Sequence, residues 1–291
     1  MYDQILIGVD GSEESDRAAK RGIELAAAFD ASVTVLHVIE ASTLDRARKA
    51  ASAIRENREA VFSGVEAAAE DAGRSITTEI VEGSPAEGLA EYATESGTDL
   101  VVLGRQGASG IGERLLGSVT ERVLSRSDAP VFVVPSKAEP SRDYERLLVP
   151  TDGSENAEAA LPHAGAFAER YGSTVDVLNV VDLQKAGGAF DAGGLEKSFV
   201  ERLESKGDAA AQRAAAAIRA DAPDADIETV VERTRTESAA ERIRDHVEER
   251  GIDLVVMGSR GRSTVKRKLL GSVAAGVLGT VDVPVLVAPE A

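Results

Sequence analysis

Asp99-Leu-Val-Val-Leu103, then Gly104-Arg-Gln-Gly107, nine residues and Gly117-Ser118, is the stretch that decides the fold. A second copy runs from Asp253-Leu-Val-Val-Met257 through Gly258-Ser-Arg-Gly261 and nine residues to Gly271-Ser272. In each copy, an apolar run typical of a buried strand breaks into glycines and then opens a helix. Glycine lets the backbone approach an anion, and the first free N–H groups of a helix point at it. The two copies favour phosphate-binding loops over plain strand-to-helix turns.

The rest of the chain repeats around these two loops. Asp10-Gly-Ser follows an apolar run, and Asp152-Gly-Ser follows a similar run 142 positions later. The glycine loops lie 154 positions apart, so the second copy has gained 12 residues, many of them expected in the glycine-rich stretch 184–194. The repeat predicts two domains, 1–138 and 143–291, joined by a short polar linker.

Apolar strand patterns alternate with helical patterns in both domains. Strands are expected at 4–9, 33–38, 75–81, 99–103 and 130–134, and again at 147–150, 175–180, 253–257 and 284–288. Helices are expected at 13–29, at 43–72 and from Gly117, with capping boxes at Ser84–Glu87 and Thr234–Glu237. This alternation predicts two tandem doubly wound parallel-sheet α/β domains, flavodoxin-like or Rossmann-like. Ligands of such sheets bind beyond the carboxyl ends of the strands, at the switch point.

Composition excludes several classes of function. The formal net charge of −17 argues against general nucleic-acid binding. The chain has no Cys, and its three His have no metal-like spacing, so no metal site is expected. No apolar stretch approaches the length of a membrane span and the N-terminus enters a strand directly, so a cytoplasmic protein without membrane contact is expected. Scarce Lys (8, against 25 Arg) and dispersed acids favour a halophilic protein over an ordinary acidic mesophilic one.

The pattern G-x2-G-x9-G-[ST], together with the upstream strand-Asp-Gly-Ser, resembles that of the ATP-binding branch of the universal stress protein family. The resemblance covers nearly the whole chain as two tandem domains, with the ATP-binding glycine motif in both repeats. It implies an adenine nucleotide α-hydrolase-like fold and ATP as the ligand, with Mg²⁺ left open. It also implies an intrachain pseudo-dimer through antiparallel pairing of the fifth strands, 131–134 and 285–287, and leaves a homodimer of whole chains open.

The resemblance implies which residues contact the nucleotide. The strand-end aspartate and the two residues before it lie beside the adenosine, a valine at the end of strand 2 lies beside the adenine, and the glycine loop and serine hold the phosphates. In the first domain these positions are Gly8, Val9, Asp10, Val38, Gly104, Arg105, Gly107, Gly117, Ser118 and Val119. In the second domain they are Pro150, Thr151, Asp152, Val180, Gly258, Arg260, Gly261, Gly271, Ser272 and Val273. For the aspartates the alternative is a turn residue, and for the serines it is a helix cap.

The second copy differs from the first in three ways. Residues 258–271 contain five basic residues and no acid, which predicts stronger and more salt-dependent attraction of polyphosphate. After the serine, Val273-Ala-Ala-Gly-Val277 replaces Val119-Thr-Glu-Arg-Val123 and loses a hydroxyl and a carboxylate. The insertion at 184–194 follows strand 2 and is interpreted as a lid over the second site.

The leading hypothesis is an ATP-binding protein of the stress response, with the nucleotide as regulatory ligand. Slow ATP hydrolysis and a nucleotide-free interaction module are the alternatives. No catalytic residue is expected, because the sequence offers no nucleophile–base pair. His37, His163 and His246 are expected to be packing or surface residues, since His37 has Asn179 as its counterpart in the second copy.

Overall fold

The computed structural model describes residues 1–39, 51–107, 116–137, 143–183, 197–261 and 269–290, with side chains from residue 58 in the second range. The chain divides into two compact units, Met1–Ser141 (unit 1) and Arg142–Ala291 (unit 2). The expected helical residues 43–50, the expected lid at 184–194 and most of the basic cluster, at 262–268, lie outside the described residues.

Unit 1 alternates strands and helices in the predicted order. Its elements are β1 (Gln4–Gly8), α1 (Glu13–Phe29), β2 (Ser32–Ile39), α2 (Ala51–Asp71), β3 (Thr77–Glu82), α3 (Pro85–Ser96), β4 (Leu100–Gly104), α4 (Ser118–Arg126) and β5 (Val131–Val134). Residues of β1 and β4 are almost completely buried, apart from Gln4, as the continuous apolar runs of a parallel sheet require.

Unit 2 has the same order of strands and helices, with one additional short helix after its first strand. Its elements are β6 (Arg146–Pro150), α5 (Glu155–Glu158), α6 (Leu161–Tyr171), β7 (Thr174–Asp182), α7 (Lys197–Asp221), β8 (Ile227–Thr234), α8 (Ala239–Arg250), β9 (Leu254–Gly258), α9 (Ser272–Thr280) and β10 (Val285–Ala288). Helix α8 is followed by Gly251, which adopts the left-handed conformation (φ 63°) that commonly closes the last turn of a helix.

Both units have the same parallel strand order. In unit 1 the order is β3-β2-β1-β4-β5, and in unit 2 it is β8-β7-β6-β9-β10. The registers are parallel throughout, with Ile7 opposite Val35 and Val102, and Leu148 opposite Asp176 and Val255. The order reverses between β1 and β4, and between β6 and β9, so each unit has one switch point. The predicted class of two tandem parallel-sheet α/β domains is confirmed; pairing of the fifth strands stays a prediction.

The two predicted capping boxes are wrong in their details. Helix α3 begins at Pro85 after Ser84, as expected, but the Ser84 side chain makes no capping hydrogen bond, and Glu87 pairs with Arg126. Thr234 is the last residue of β8, where its hydroxyl donates to the Glu237 carbonyl and closes a turn. The capping box of α8 lies four residues later, because Ser238 and Glu241 exchange hydrogen bonds with each other's backbone N–H.

A buried ionic cluster ties α8 to the sheet of unit 2. His246, only 2% exposed, hydrogen-bonds through Nε2 to Asp176 of β7 (3.2 Å) and through Nδ1 to Glu232 of β8 (2.9 Å). Arg250 donates through Nε to the same Asp176 oxygen at 3.1 Å, and Arg242 pairs with Glu232. His246 is therefore a buried member of an ion-pair network, more specific than the packing or surface role expected from the sequence.

Unit 1 does not have this ionic cluster at the positions that match Asp176 and His246. Thr34 stands 142 positions before Asp176, and Tyr92 stands 154 positions before His246, so unit 1 has neither the carboxylate nor the imidazole there. Burial by itself would lower the pKa of His246, but the hydrogen bonds to both carboxylates outweigh it and raise that pKa above its usual value. Burial would raise the pKa of Asp176, but its bonds to His246 and Arg250 hold it below the usual value.

Candidate functional site

The carboxyl ends of β6 and β9 flank the switch point of unit 2, and a cavity of about 530 Å³ lies there. All the residues expected to form the second site line this one cavity. They are Pro150, Thr151, Asp152, Val180, Gly258, Arg260, Gly261, Gly271, Ser272 and Val273. The structure thus brings together residues that are up to 123 positions apart in the sequence, from Pro150 to Val273.

Asp152 is held in a defined turn at the end of β6. Its Oδ1 accepts from the Ser154 backbone N–H at 3.0 Å and from the Ser154 hydroxyl at 2.6 Å. The Thr151 hydroxyl accepts from the Gly153 N–H at 3.1 Å, which closes the same turn. The Asp-Gly-Ser sequence therefore forms an Asx-type turn. Asp152 therefore has the turn role, and it also lines the cavity.

The glycines of the second loop are required by close packing. A Cβ built on Gly261 would lie 2.5 Å from Asp152 Oδ2, and one built on Gly258 would lie 2.1 Å from the Asn156 carbonyl oxygen. Asn156 of α5 also donates from Nδ2 to the Gly261 carbonyl at 3.3 Å, so α5 stabilises the position of the loop. The loop therefore lies against both Asp152 and α5. A side chain at residue 258 would collide with the backbone of α5, and one at residue 261 would displace the Asp152 carboxylate.

The serine after the loop does not act as a helix cap. Gly271 occupies the N-cap position of α9, and Ser272 is the first helical residue. In the described part of the chain, the Ser272 hydroxyl makes no hydrogen bond, and the residue is exposed at the cavity. The Gly271 N–H donates to the Ser259 carbonyl at 2.9 Å, and the Ala275 N–H donates to the Gly271 carbonyl at 2.9 Å. The N–H groups of residues 272–274 belong to the first turn of α9, and the free N–H groups of a helix N-terminus are suited to bind an anion.

The remaining wall of the cavity is mostly apolar and was not predicted. It is formed by Ala157, Leu178, Ala239, Ile243, Met257, Leu269, Leu270 and Ala274. Leu269 is 59% exposed, whereas Ile243 and Met257 are buried at 2% and 5%. Placing the capping box at Ser238–Glu241 from the sequence would have located the start of α8, and with it Ala239 and Ile243.

Among the described residues, one cation, Arg260, lines the cavity beside the glycine loop. Its Nη1 donates to Glu290 Oε2 at 2.8 Å, and its side chain is 14% exposed against 41% for Glu290. A partly buried guanidinium is a suitable partner for phosphate oxygens, because its planar fork matches their geometry. The matching positions of unit 1 carry Gln106 and Ser136, so this ion pair distinguishes the two units.

Unit 1 builds the same turn and loop with its own residues. Asp10 Oδ1 accepts from the Ser12 N–H at 3.0 Å and from the Ser12 hydroxyl at 2.6 Å. A Cβ on Gly107 would lie 2.3 Å from Asp10 Oδ2, as for its counterpart in unit 2. Gly117 is the N-cap of α4, and the exposed Ser118 again makes no capping hydrogen bond. Gly8 ends β1 and Val38 lies near the end of β2.

Three further predicted residues of unit 1 are Val9, Val119 and Arg105. Val119 follows Ser118 in the first turn of α4, and Val9 donates its N–H to the Leu36 carbonyl at 3.0 Å, directly after β1. Arg105 is buried to 2% exposure, and its counterpart by position is the buried Ser259. Arg105 and Arg260 are therefore not equivalent, because the cavity-lining arginine of unit 2 matches Gln106.

The altered residues after the second serine have a packing explanation. Thr120, the hydroxyl that unit 2 lacks, is 4% exposed and donates to the Gly104 carbonyl at 2.8 Å. Its hydroxyl is thus occupied within the fold of unit 1. A Cβ on Gly276 would lie 2.6 Å from the Ala240 Cβ, so α9 and α8 approach too closely there for any side chain. Gly276 therefore permits the close approach of α9 to α8.

Two features are absent from the described residues, 1–39, 51–107, 116–137, 143–183, 197–261 and 269–290. No group of three or more His, Cys, Asp or Glu side chains in those ranges could hold a metal ion. None of the helices in those ranges combines the length and the apolar character needed to cross a membrane.

Comparison with known proteins agrees with the fold. The profile of the universal stress protein family matches residues 1–135 and 143–289. A universal stress protein of Mycobacterium tuberculosis is 30% identical over 314 residues, covering 98% of this chain and 97% of the relative. One from Methanocaldococcus jannaschii is 36% identical over 140 residues, covering 46% of this chain and 82% of the relative.

A solved structure shows the same fold over the whole chain. The crystal structure of a universal stress protein from Archaeoglobus fulgidus superimposes with a TM-score of 0.71 at 23% identity, covering 99% of this chain and 98% of the other. The family profile matches the chain twice, once in each unit. This chain belongs to the universal stress protein family, as a form with two tandem domains.

Proposed function

We propose that the chain binds ATP as a regulatory ligand, with the cavity of unit 2 as one site and the matching turn and loop of unit 1 as a second. The observation that carries this proposal is the convergence of every expected second-site residue on one cavity. Its volume of about 530 Å³ lies within the usual range of small-ligand pockets, roughly 300–1,000 Å³.

The phosphate groups are assigned to the end of the cavity formed by the glycine loop and α9. There, the first N–H groups of α9 and the Ser272 hydroxyl offer hydrogen-bond donors. The Arg260 guanidinium adds a positive charge, and the helix dipole favours an anion at the same place. A polyanionic ligand is therefore a better match for this end than a neutral one.

The adenosine is assigned to the opposite, apolar side. Leu178 and Val180 of β7 and Ile243 of α8 form a surface on which a flat base can pack. The Asp152 carboxylate, at the end of β6, is positioned to accept hydrogen bonds from a ribose or base. Mg²⁺, where it accompanies ATP, would be carried by phosphate oxygens and water, which suit this ion.

Titration of ATP into the full chain at several salt concentrations tests the proposal, together with mass spectrometry of ligand released by denaturation. We expect Ser272→Ala to weaken binding at one site about tenfold or more, since a hydrogen bond to a charged group is lost. Ser118→Ala is the matched control and should affect only the other site. The glycines are poor targets, because close contacts explain them without any ligand.

Three outcomes separate the alternatives. ATP or ADP released from the purified chain, and binding that the serine variants weaken, would support the proposal. Product formation that disappears when Ser118→Ala and Ser272→Ala are combined would indicate a slow ATPase. A chain that binds no nucleotide at any salt concentration would contradict the proposal and favour an interaction module with structural glycines.

A further inference from the structure

The turns that present Asp10 and Asp152 are each held by one side chain from the neighbouring strand. In unit 2, Asn179 of β7 donates from Nδ2 to the Thr151 carbonyl at 2.7 Å. In unit 1, His37 of β2 bonds through Nδ1 to the Val9 carbonyl at 2.8 Å. Each acceptor is the carbonyl of the residue directly before the aspartate.

Two different residue types supply the same donor. His37 and Asn179 are 142 positions apart, the same spacing as Asp10 and Asp152, so they occupy equivalent positions. A carbonyl oxygen can only accept a hydrogen bond, so the His37 Nδ1 must carry a hydrogen. The imidazole and the amide are different chemical groups, but each can donate an N–H to the carbonyl before the aspartate. The structure therefore explains why the position tolerates either residue.

The fold also restricts where Asn179 can point. Asn179 is 6% exposed, and a Cβ built on Gly207 of α7 would lie 2.3 Å from its Oδ1. Gly207 thus leaves just enough space for the amide oxygen, while the amide nitrogen faces Thr151. A side chain at residue 207 would displace the Asn179 amide from the Thr151 carbonyl. His37 is braced differently, by an edge-on contact with the Phe62 ring at 6.5 Å between centroids.

We propose that Asn179 and His37 are positioning residues of the two nucleotide sites. Their N–H groups fix the peptide before the aspartate, and so set the direction in which its carboxylate meets the ligand. The inference rests on the proposed function for its ligand, but the hydrogen bonds stand without it. Thr151 is 6% exposed, so loss of the donor would leave a buried carbonyl without its partner and release the turn.

The first test compares ATP affinity among variants of the full chain. Asn179→Leu should weaken binding at the unit 2 site about tenfold and leave the unit 1 site unchanged. His37→Leu should do the reverse. His37→Asn, which keeps an N–H donor, should bind like the wild type. Gly207→Ala leaves Asn179 in place as a residue but displaces its amide, and should weaken the same site as Asn179→Leu.

A second measurement keeps the inference separate from ATP binding. Hydrogen exchange of the Gly153 and Ser154 amides in the ligand-free chain should accelerate at least fivefold in Asn179→Leu. Unchanged exchange would overturn the inference, and so would wild-type affinity in both leucine variants or equal losses in His37→Asn and His37→Leu. If the wild type binds no ATP but exchange accelerates, the proposed function fails and the positioning role stands.

Discussion

Replacing His246 by leucine should destabilise unit 2 in a pH-dependent way. The imidazole lies between Asp176 and Glu232, at 3.2 and 2.9 Å, with 2% of its surface exposed. Its loss removes a cation from two carboxylates that it bridges. Removing one partner of a buried ion pair typically costs about 3–5 kcal/mol, because the other charge stays buried without compensation.

The magnitude in this cluster should lie near the lower end of that range. Asp176 keeps Arg250 at 3.1 Å and Arg146 at 3.8 Å, and Glu232 keeps its pair with Arg242. These arginines still compensate part of the negative charge when the imidazole is gone. We therefore expect a loss of about 3 kcal/mol in the free energy of unfolding of unit 2 near pH 6.

The pH dependence follows from the raised pKa of His246. The stabilisation is complete below the pKa of the unfolded state, about 6.5, and is lost as the pH rises through the higher pKa of the folded state. Between the two pKa values, the wild type should lose about 1.4 kcal/mol per pH unit relative to the leucine variant. Asp176 and Glu232 remain ionised in this window, since their pKa values are lowered.

Urea unfolding followed by circular dichroism measures this effect, because urea is uncharged and leaves the ion pairs unscreened. Hydrogen exchange of the α8 amides at fixed pH assigns the loss to unit 2. Tyr92→Leu, at the matching position of unit 1, is the control and should show no such pH dependence. An equal loss at pH 6 and pH 9, or a loss below about 1 kcal/mol, would refute the reasoning.

Three further predictions concern the site and its supports. Gly261→Ala should cost about 1–3 kcal/mol in thermal or urea unfolding, because its Cβ would lie 2.5 Å from Asp152 Oδ2; an unchanged midpoint would contradict this contact. Gly276→Arg, which introduces the residue found at the matching position 122 of unit 1, should destabilise unit 2 by a similar amount, because the side chain would collide with Ala240. The reverse change in unit 1, Arg122→Gly, is the control and should cost about 1 kcal/mol or less, mainly through lower helix propensity. Arg260→Gln should weaken ATP binding at the unit 2 site about tenfold and flatten its salt dependence, with Gln106→Ala as the control; equal salt slopes in variant and wild type would oppose a phosphate contact by Arg260.

Much of the fold could be predicted because its signals are local. Apolar runs of strand length, such as the one ending in β4, and glycines placed directly after them specify a parallel α/β unit without any tertiary information. The second copy of the glycine loop, with the same internal spacing, then predicts two units. Capping boxes were less reliable. Helix α3 begins after Ser84 as predicted, but Glu87 pairs with Arg126, and the Thr234 hydroxyl donates to the Glu237 carbonyl in a turn.

The candidate site was only partly accessible from the sequence. The residues that belong to a motif, such as Asp152 and Gly261, could be identified from their spacing together with the family resemblance. Ile243 and Met257 could not, because an apolar residue that lines a cavity has the same sequence pattern as one in the core. The resemblance also did not reveal that Arg105 is buried while Arg260 lines the cavity.

The sequence by itself determined the order of the strands in unit 1, the two glycine loops and the turns that carry Asp10 and Asp152, because each depends on residues close together in the chain. It did not predict β8 or the short helix α5 of unit 2. Only the tertiary structure decided what those residues touch. It places the amide of Asn179 on the carbonyl before Asp152, the imidazole of His246 between two carboxylates, and the glycines against side chains far away in sequence. Such contacts depend on strand order, register and helix packing, which join segments that no local pattern connects.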